Sequence, residues 1–305
     1  MLQPRIGVIG LGSIAQKAYL PLVAVEKNWK LIGAYSPTAT KREEICKHYR
    51  MNSYSDMNTL IQDCDAVFVH SSTSTHFEIV QHALKSGVDV FVDKPLAETV
   101  EQAEILAELS KKHNRKLMVG FNRRFAPLYI EAKAKMGTTA WIRFEKHRKH
   151  GVYAGHSAAF TLLDDYLHLI DTARWLGASS IKNGTIALTE KGQLLHAQHQ
   201  LGAGTYSITT AMHRQSGSNK EQLEIVSIDG ITRIQNLEMM EVESEGYTQQ
   251  VMSHPWDSIL KRRGFEGAVQ HFMDCLNGDQ KPLVDGWEGV ESQRLITNMI
   301  KEMNG

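Results

Sequence analysis

The sequence predicts an α/β chain of two domains: a mostly parallel sheet with helices over residues 1–121, then an α+β domain over 122–305 with a large, mostly antiparallel open sheet. Three observations carry this. Up to Phe121, short β-branched apolar runs alternate with amphipathic stretches of helical length, the rhythm of βαβ units. Beyond it, several alternating runs surround one strong apolar helix pattern, which suits an antiparallel sheet covered on one face. The chain has 305 residues, 42% of them hydrophobic, against a usual domain of about 150.

In the first half, strands are expected at Arg5–Leu11, Lys30–Ser36, Ala66–Ser71, Asp89–Val92 and Leu117–Phe121. Helices are expected at Ser13–Val25, Thr40–Arg50, Met57–Gln62, Thr75–Ser86 and Thr99–His113, each with Leu, Ile, Val or Ala at helical spacing. Gly87 closes one, and Thr99 followed by Glu101 and Gln102 opens another. In the second half come a helix Pro127–Met136, a long strand Ala140–His150 and the apolar helix Phe160–Leu176. Strands Ser180–Leu188, Leu194–Gln200, Thr205–His213, Gln222–Ile228 and Thr232–Leu237 follow. Two closing helices, Phe265–Leu276 and Trp287–Met303, are separated by the breakers Gly278 and Pro282.

Composition narrows the function. Lysine and arginine total 34, as do aspartate and glutamate, so the chain lacks the cationic excess that nucleic-acid binding draws on. No apolar run approaches the roughly 18 residues of a membrane span, and no secretory leader is read at the start. Cys46, Cys64 and Cys275 show neither paired nor C-x-x-C spacing, which fits a reducing cytoplasm and predicts no metal site. A small molecule is the expected partner.

Gly10-Leu11-Gly12-Ser13-Ile14-Ala15 forms G-x-G-x-x-A where a strand should pass into a helix. Gly10 permits the tight turn, Gly12 lets backbone approach a pyrophosphate, and Ala15 lets helix pack on strand. The helix start at Ser13 and Ile14 would offer amides and a positive dipole end to phosphates. A bare glycine turn is the alternative, but the βαβ context favours a Rossmann dinucleotide site. The second strand ends at Ser36, where an NAD-binding domain normally carries an acid for the ribose hydroxyls. Ser36, Thr38 and Lys41, with Arg42, suit a 2′-phosphate, so NADP is favoured over NAD. The alternative is that Lys41 and Arg42 are a solvated first helical turn.

Asp93-Lys94-Pro95 follows a strand directly, at the sheet end where such folds bind ligands. Asp164 and His168 stand four apart on the apolar helix, with Asp171 three further on. A carboxylate one turn from an imidazole makes acid/base work plausible, although a buried His is more often a satisfied core residue. A metal reading is weaker, since a facial triad needs two His and one carboxylate.

Taken in order, these motifs resemble the Gfo/Idh/MocA oxidoreductase family over the whole chain. Ala66–His76 looks like its segment beneath the nicotinamide, and Gly120-Phe121-Asn122-Arg123-Arg124-Phe125 like its crossover into the second domain. Lys146-His147-Arg148 and Phe160–His168 look like the family's MviM-type (YceM-type) members. The resemblance implies catalytic Lys94, His168 and Asp164. It implies cofactor contacts at Gly10, Gly12, Ser13, Ile14, Ser36, Thr38, Lys41, Ser71, Ser72, Thr73, His76, Lys94 and Arg123, and substrate contacts at Lys94, Asn122, Asp164 and His168. Asp93 replaces the family's usual Glu, and Tyr166-Leu167 stand where a Gly is common.

These residues suit hydride transfer between a nicotinamide and a carbinol or carbonyl of a sugar, polyol or related, anionic or neutral, small molecule, in a cleft between the domains. His168 would take the hydroxyl proton, Lys94 would face the developing alkoxide, and Asp164 would hold substrate or tune His168. A dinucleotide-binding sensor without turnover is the competing expectation. The open sheet predicts a homodimer or higher homo-oligomer. Of the basic strand Trp141–His150, either Lys146, Arg148 and His150 or Arg143, His147 and Lys149 should share a face.

Overall fold

The computed structural model describes residues 3–152 and 155–304. The chain forms two compact units: Met1–Phe121 with Phe265–Glu291, and Asn122–Gly264 with Ser292–Gly305.

The first unit is a six-stranded sheet in the order β3-β2-β1-β4-β5-β6, with every neighbouring pair parallel. Its strands are β1 Arg5–Ile9, β2 Lys30–Tyr35, β3 Asn52–Tyr54, β4 Ala66–Val69, β5 Asp89–Val92 and β6 Leu117–Val119. All four residues of β4 are buried, as a central parallel strand covered on both faces requires. Helix Thr73–Lys85 buries Ile79, Val80, Ala83 and Leu84, and helix Val100–Lys112 buries Ala103, Leu106 and Ala107. Thr99 caps the second of these by accepting from the Gln102 amide at 3.2 Å. The helix after β1, residues 13–23, contains a π-helical turn at Ala15–Tyr19.

The division differs from a single cut after Phe121, because a late segment completes the first unit. Helix Phe265–Asn277 sets Phe272 edge-on to Phe68 and Phe91 at ring distances of 5.5 and 5.6 Å. Such aromatic pairs contribute about 0.5–1.5 kcal/mol each beyond area burial. The Val119 amide donates to Val284 O at 2.9 Å, and a Cβ on Gly289 would come within 2.8 Å of the Val119 side chain. Apolar surface on the sheet, rather than chain order, decides where this segment packs.

The second unit is an eight-stranded sheet in the order β14-β13-β12-β11-β7-β10-β9-β8. Its strands are β7 Thr139–His147, β8 Ser180–Leu188, β9 Leu194–Ala203, β10 Tyr206–His213, β11 Lys220–Ser227, β12 Gly230–Gln235, β13 Met239–Ser244 and β14 Tyr247–Met252. Only the central β7–β10 pair is parallel. Ile142, Phe144, Ile208, Leu223 and Ile225 are buried, and helices Pro127–Ala134 and Leu167–Trp175 pack on this sheet. Neighbouring positions on the strands carry charge: Arg233 pairs with Glu224, Glu241 and Glu243, and Arg143 lies 3.5 Å from Glu224.

Two buried ion pairs tie the start of this unit to its interior. Arg123 donates twice to Glu221 at 2.7 Å, and Tyr129 adds a hydroxyl at 3.1 Å. Arg124 grips Asp171 at 2.6 and 3.0 Å, with Ser292 donating to the same carboxylate at 2.9 Å. Burial alone would raise the Glu221 pKa, but the Arg123 guanidinium outweighs it and holds the carboxyl at about 2. A carboxyl depressed from 4.5 to about 2 contributes stability above pH 4.5 and loses it as pH falls through that window. Glu221→Gln should therefore unfold more easily at pH 7 by about 3–5 kcal/mol and show a flatter loss of stability between pH 4.5 and 2. Urea titrations at pH 7, 4.5 and 3 check this, and parallel pH curves for both proteins would absolve Glu221.

Candidate active site

Strands β1, β4 and β5 are neighbours in a parallel sheet, so the segments leaving their carboxyl ends emerge on one edge. The strand order reverses direction at β1 and β4, where open α/β sheets take ligands. Gly10 has φ +92°, and a Cβ there would sit 2.5 Å from the Ser71 amide nitrogen and 2.6 Å from the His70 carbonyl carbon. Only glycine fits. At Gly12 a Cβ would meet nothing nearer than His70 O at 3.8 Å, which leaves that face of the loop open. Gln16 occupies the Leu11 carbonyl from below at 2.9 Å. Ser13 is exposed and Ile14 half-buried at the start of the helix.

At the end of β2, Arg42 differs from the solvated helix residue allowed by its sequence. It is buried, donates to Ser36 O at 2.7 Å, and reaches Ser53 Oγ at 3.0 Å. The guanidinium thus braces the segment that presents half-buried Ser36. Thr38 and Lys41 are exposed on the same segment.

The segment after β4 packs inward through histidines. His70 is buried and stacks on the Tyr19 ring at 3.9 Å, and burial pushes its pKa down to about 3. Tyr19 donates to Asp93 at 3.2 Å. Burial raises the Asp93 pKa, while Lys94, His76 and this hydroxyl oppose it. Ser71 is half-buried and Ser72 exposed, and Thr73 begins the next helix. Thr75 donates at 2.8 Å to a Ser71 or Ser72 oxygen. His76, expected among the cofactor contacts, is 1% exposed and lies between Pro95 O and Ser71 O, so its ring has no surface to offer a ligand. Lys94 is half-buried just past β5, and its bond to Pro95 is cis.

In the second unit, the apolar helix pattern resolves into Ala158–Thr161, a π-helical turn Leu162–Tyr166, and Leu167–Trp175. Such turns occur often at functional sites. Half-buried Asp164 lies in the π turn and half-buried His168 one turn on. Asp165, next to Asp164, is buried and accepts from Lys146, Arg148 and Arg214, with the Arg148 bonds at 3.1 and 3.2 Å. Burial favours the neutral acid, yet these cations hold its pKa well below the usual range. The Lys146 pKa is lowered as well, to about 7, by burial and then by Arg123. The subset of the basic strand that faces this helix is therefore Lys146 and Arg148, while Arg143 and His147 turn to Glu145.

Two expected ligand contacts are spent inside this unit. Asn122 is buried and gives its amide to Arg263 O at 2.7 Å, beneath Gly264, whose Cβ would strike Asn122 O. Arg123 is occupied by Glu221. Their positions at the crossover were legible, but not the direction of their side chains. Asp165 and Tyr19 were missed. The strand Lys146-His147-Arg148 signalled that a carboxylate was needed, while nothing singled out Tyr19. Among the described residues, no three His, Cys, Asp or Glu side chains gather as a metal site would, and no helix is long and apolar enough to cross a membrane.

The glycine loop fits a dinucleotide: a turn closed to any side chain, an open backbone face, and a helix start that supplies amides. Comparison with known proteins agrees. Residues 4–121 match the description "Oxidoreductase family, NAD-binding Rossmann fold", and residues 127–245 match "YceM-like, C-terminal domain". A protein of Salmonella typhimurium named "Putative oxidoreductase YceM" is 42% identical, covering 98% of this chain and 97% of its own. The crystal structure of a dehydrogenase (MviM) from Clostridium difficile is 43% identical with TM-score 0.96, over 98% of this chain and 99% of that one. Inositol 2-dehydrogenase of Acidothermus cellulolyticus is 30% identical over 58% of this chain and 54% of that protein. From motifs, fold and relatives together, the chain belongs to the Gfo/Idh/MocA oxidoreductase family.

Proposed function

We propose that this oxidoreductase is a dehydrogenase that interconverts a carbinol and carbonyl on a sugar, polyol or related small molecule, with NADP preferred to NAD. The observation that carries the reading is the shared sheet edge of the glycine loop, the Ser71 segment and Lys94. Gly10, Gly12, Ser13, Ile14, Ser36, Thr38, Lys41, Ser71, Ser72 and Thr73 are the residues that would hold the dinucleotide, which supplies the hydride acceptor when bound. His168 removes the hydroxyl proton as the alcohol is oxidised. The Lys94 ammonium stabilises the oxygen as negative charge develops on it. Asp164 orients the substrate or the His168 ring. The inositol dehydrogenase relative supports a polyol, and partly exposed Arg148 at the helix of Asp164 supports a substrate bearing an acid or phosphate group.

The test is NADPH fluorescence titration, followed by a screen of inositols, sugars, sugar acids and phosphorylated polyols at low and high salt, read at the nicotinamide absorbance band. Turnover of an anionic member, weakened by salt, is expected. Tight binding with no turnover across the panel would favour the sensor. Lys94→Met should keep cofactor binding but lower kcat/KM by about a hundredfold or more, and His168→Ala should lose similarly, together with the acidic limb of the pH profile. Wild-type rates in either variant would remove that residue from the chemistry.

The NADP preference is supported by Ser36 in place of an acid and by Lys41 beside it. Ser36→Asp should reverse it, since a carboxylate repels a 2′-phosphate and accepts from a free 2′-hydroxyl; equal wild-type affinities for the two cofactors would sink the idea. The second unit's open sheet supports pairing of two copies. Light scattering should give twice the chain mass at micromolar concentration, and a monomer mass counts against it.

A further inference from the structure

The His76 imidazole lies between two backbone segments of the first unit. Nδ1 is 2.8 Å from Pro95 O and Nε2 is 3.2 Å from Ser71 O. Both neighbours are acceptors. A neutral imidazole carries one N–H and can serve only one of them, and burial favours the neutral ring. The shorter contact selects Nδ1–H donating to Pro95 O, with the Nε2 contact to Ser71 O left as close packing. That bond seizes the backbone one residue past Lys94, beyond the end of β5 at Val92. It originates from a helix whose own start, at Thr73, follows the Ser71 segment. Tyr19 holds the other side of the lysine through Asp93.

We propose that His76 is a positioning residue for the reaction: its Nδ1–H bond to Pro95 O fixes Lys94 relative to the Ser71 segment. This rests on the role given to Lys94 above. A displaced charged group loses alignment with the oxygen it must stabilise, and an error of about 1 Å can cost on the order of a hundredfold.

Asparagine and glutamine separate this from packing. Asparagine places an amide near the position of Nδ1, and glutamine near that of Nε2, so His76→Asn retains a donor toward Pro95 O while His76→Gln directs it toward Ser71 O. In the full chain, Lys94 reactivity is measured by limiting acetic anhydride across pH and peptide mass spectrometry, cofactor affinity by NADPH fluorescence, and kcat and KM on the carbinol that the panel identifies. His76→Asn should match the wild type. His76→Gln should move the Lys94 reactivity profile alone among the lysines and lower kcat by about tenfold or more, with cofactor affinity and KM nearly unchanged. Equal behaviour of the two variants overturns the proposal, and a loss confined to cofactor affinity makes His76 a cofactor residue instead. Nitrogen-15 shifts of the wild-type ring decide the matter without variants, because an Nε2–H tautomer overturns it. Wild-type turnover of Lys94→Met would remove the catalytic role of Lys94 while leaving the reactivity contrast able to test its tie to His76.

Discussion

A Cβ at position 10 would lie 2.5 Å from the Ser71 nitrogen, so the chain leaving β1 can pass the end of β4 only as glycine. Much of the candidate site follows from this approach. It brings the loop against His70 and Ser71, and the helix that the loop starts brings Tyr19 onto the His70 ring. Tyr19 in turn reaches Asp93, the neighbour of Lys94. Backbone approach and polar side chains therefore form one chain of contacts from the glycine turn to the lysine. A bulkier residue at position 10 would displace that whole chain, because φ +92° is also costly for any residue with a side chain.

The second unit handles charge differently. Asp165 collects three cations, and the adjacent buried Arg123 and Arg124 each have their own carboxylate, Glu221 and Asp171. Such pairs bring little net stability, since desolvation opposes attraction, but losing one partner is severe. Their effect is to fix the geometry of the segment Asn122–Phe125 and of the helix that carries Asp164 and His168. Of the three groups around Asp165, Arg148 alone keeps substantial exposure, at 38% of its side chain. The family membership agrees with a first unit built for a dinucleotide.

Most of the architecture was legible because burial imposes period. β1, β2, β4, β5 and β6 are apolar runs in a sheet covered on both faces, and β7 and β9 alternate between buried and more exposed positions over most of their length. β3 was not legible: its three residues, Asn52–Tyr54, include none that is buried. β14 escaped for the same reason, with Thr248, Gln249 and Gln250 all exposed. Lys94, Asp164 and His168 were singled out by motif. The inward bonding of His76, Asn122 and Arg123 was not legible, because a sequence places a residue along the chain but does not reveal which way its side chain turns. For these three the deciding partners, Pro95 O, Arg263 O and Glu221, lie 19, 141 and 98 residues away.

The return of Phe265–Glu291 to the first unit has a bearing on synthesis. Domains are commonly pictured as folding in the order they leave the ribosome, at about 5–20 residues per second. Here the sheet of β1–β6 is complete at Val119, but Phe272, which packs on Phe68 and Phe91, comes 153 residues later (272 − 119), an interval of roughly eight to thirty seconds at that pace. The dinucleotide-binding half must wait with its aromatic face uncovered while the second sheet is made, so the part encoded first cannot be completed as it leaves the ribosome.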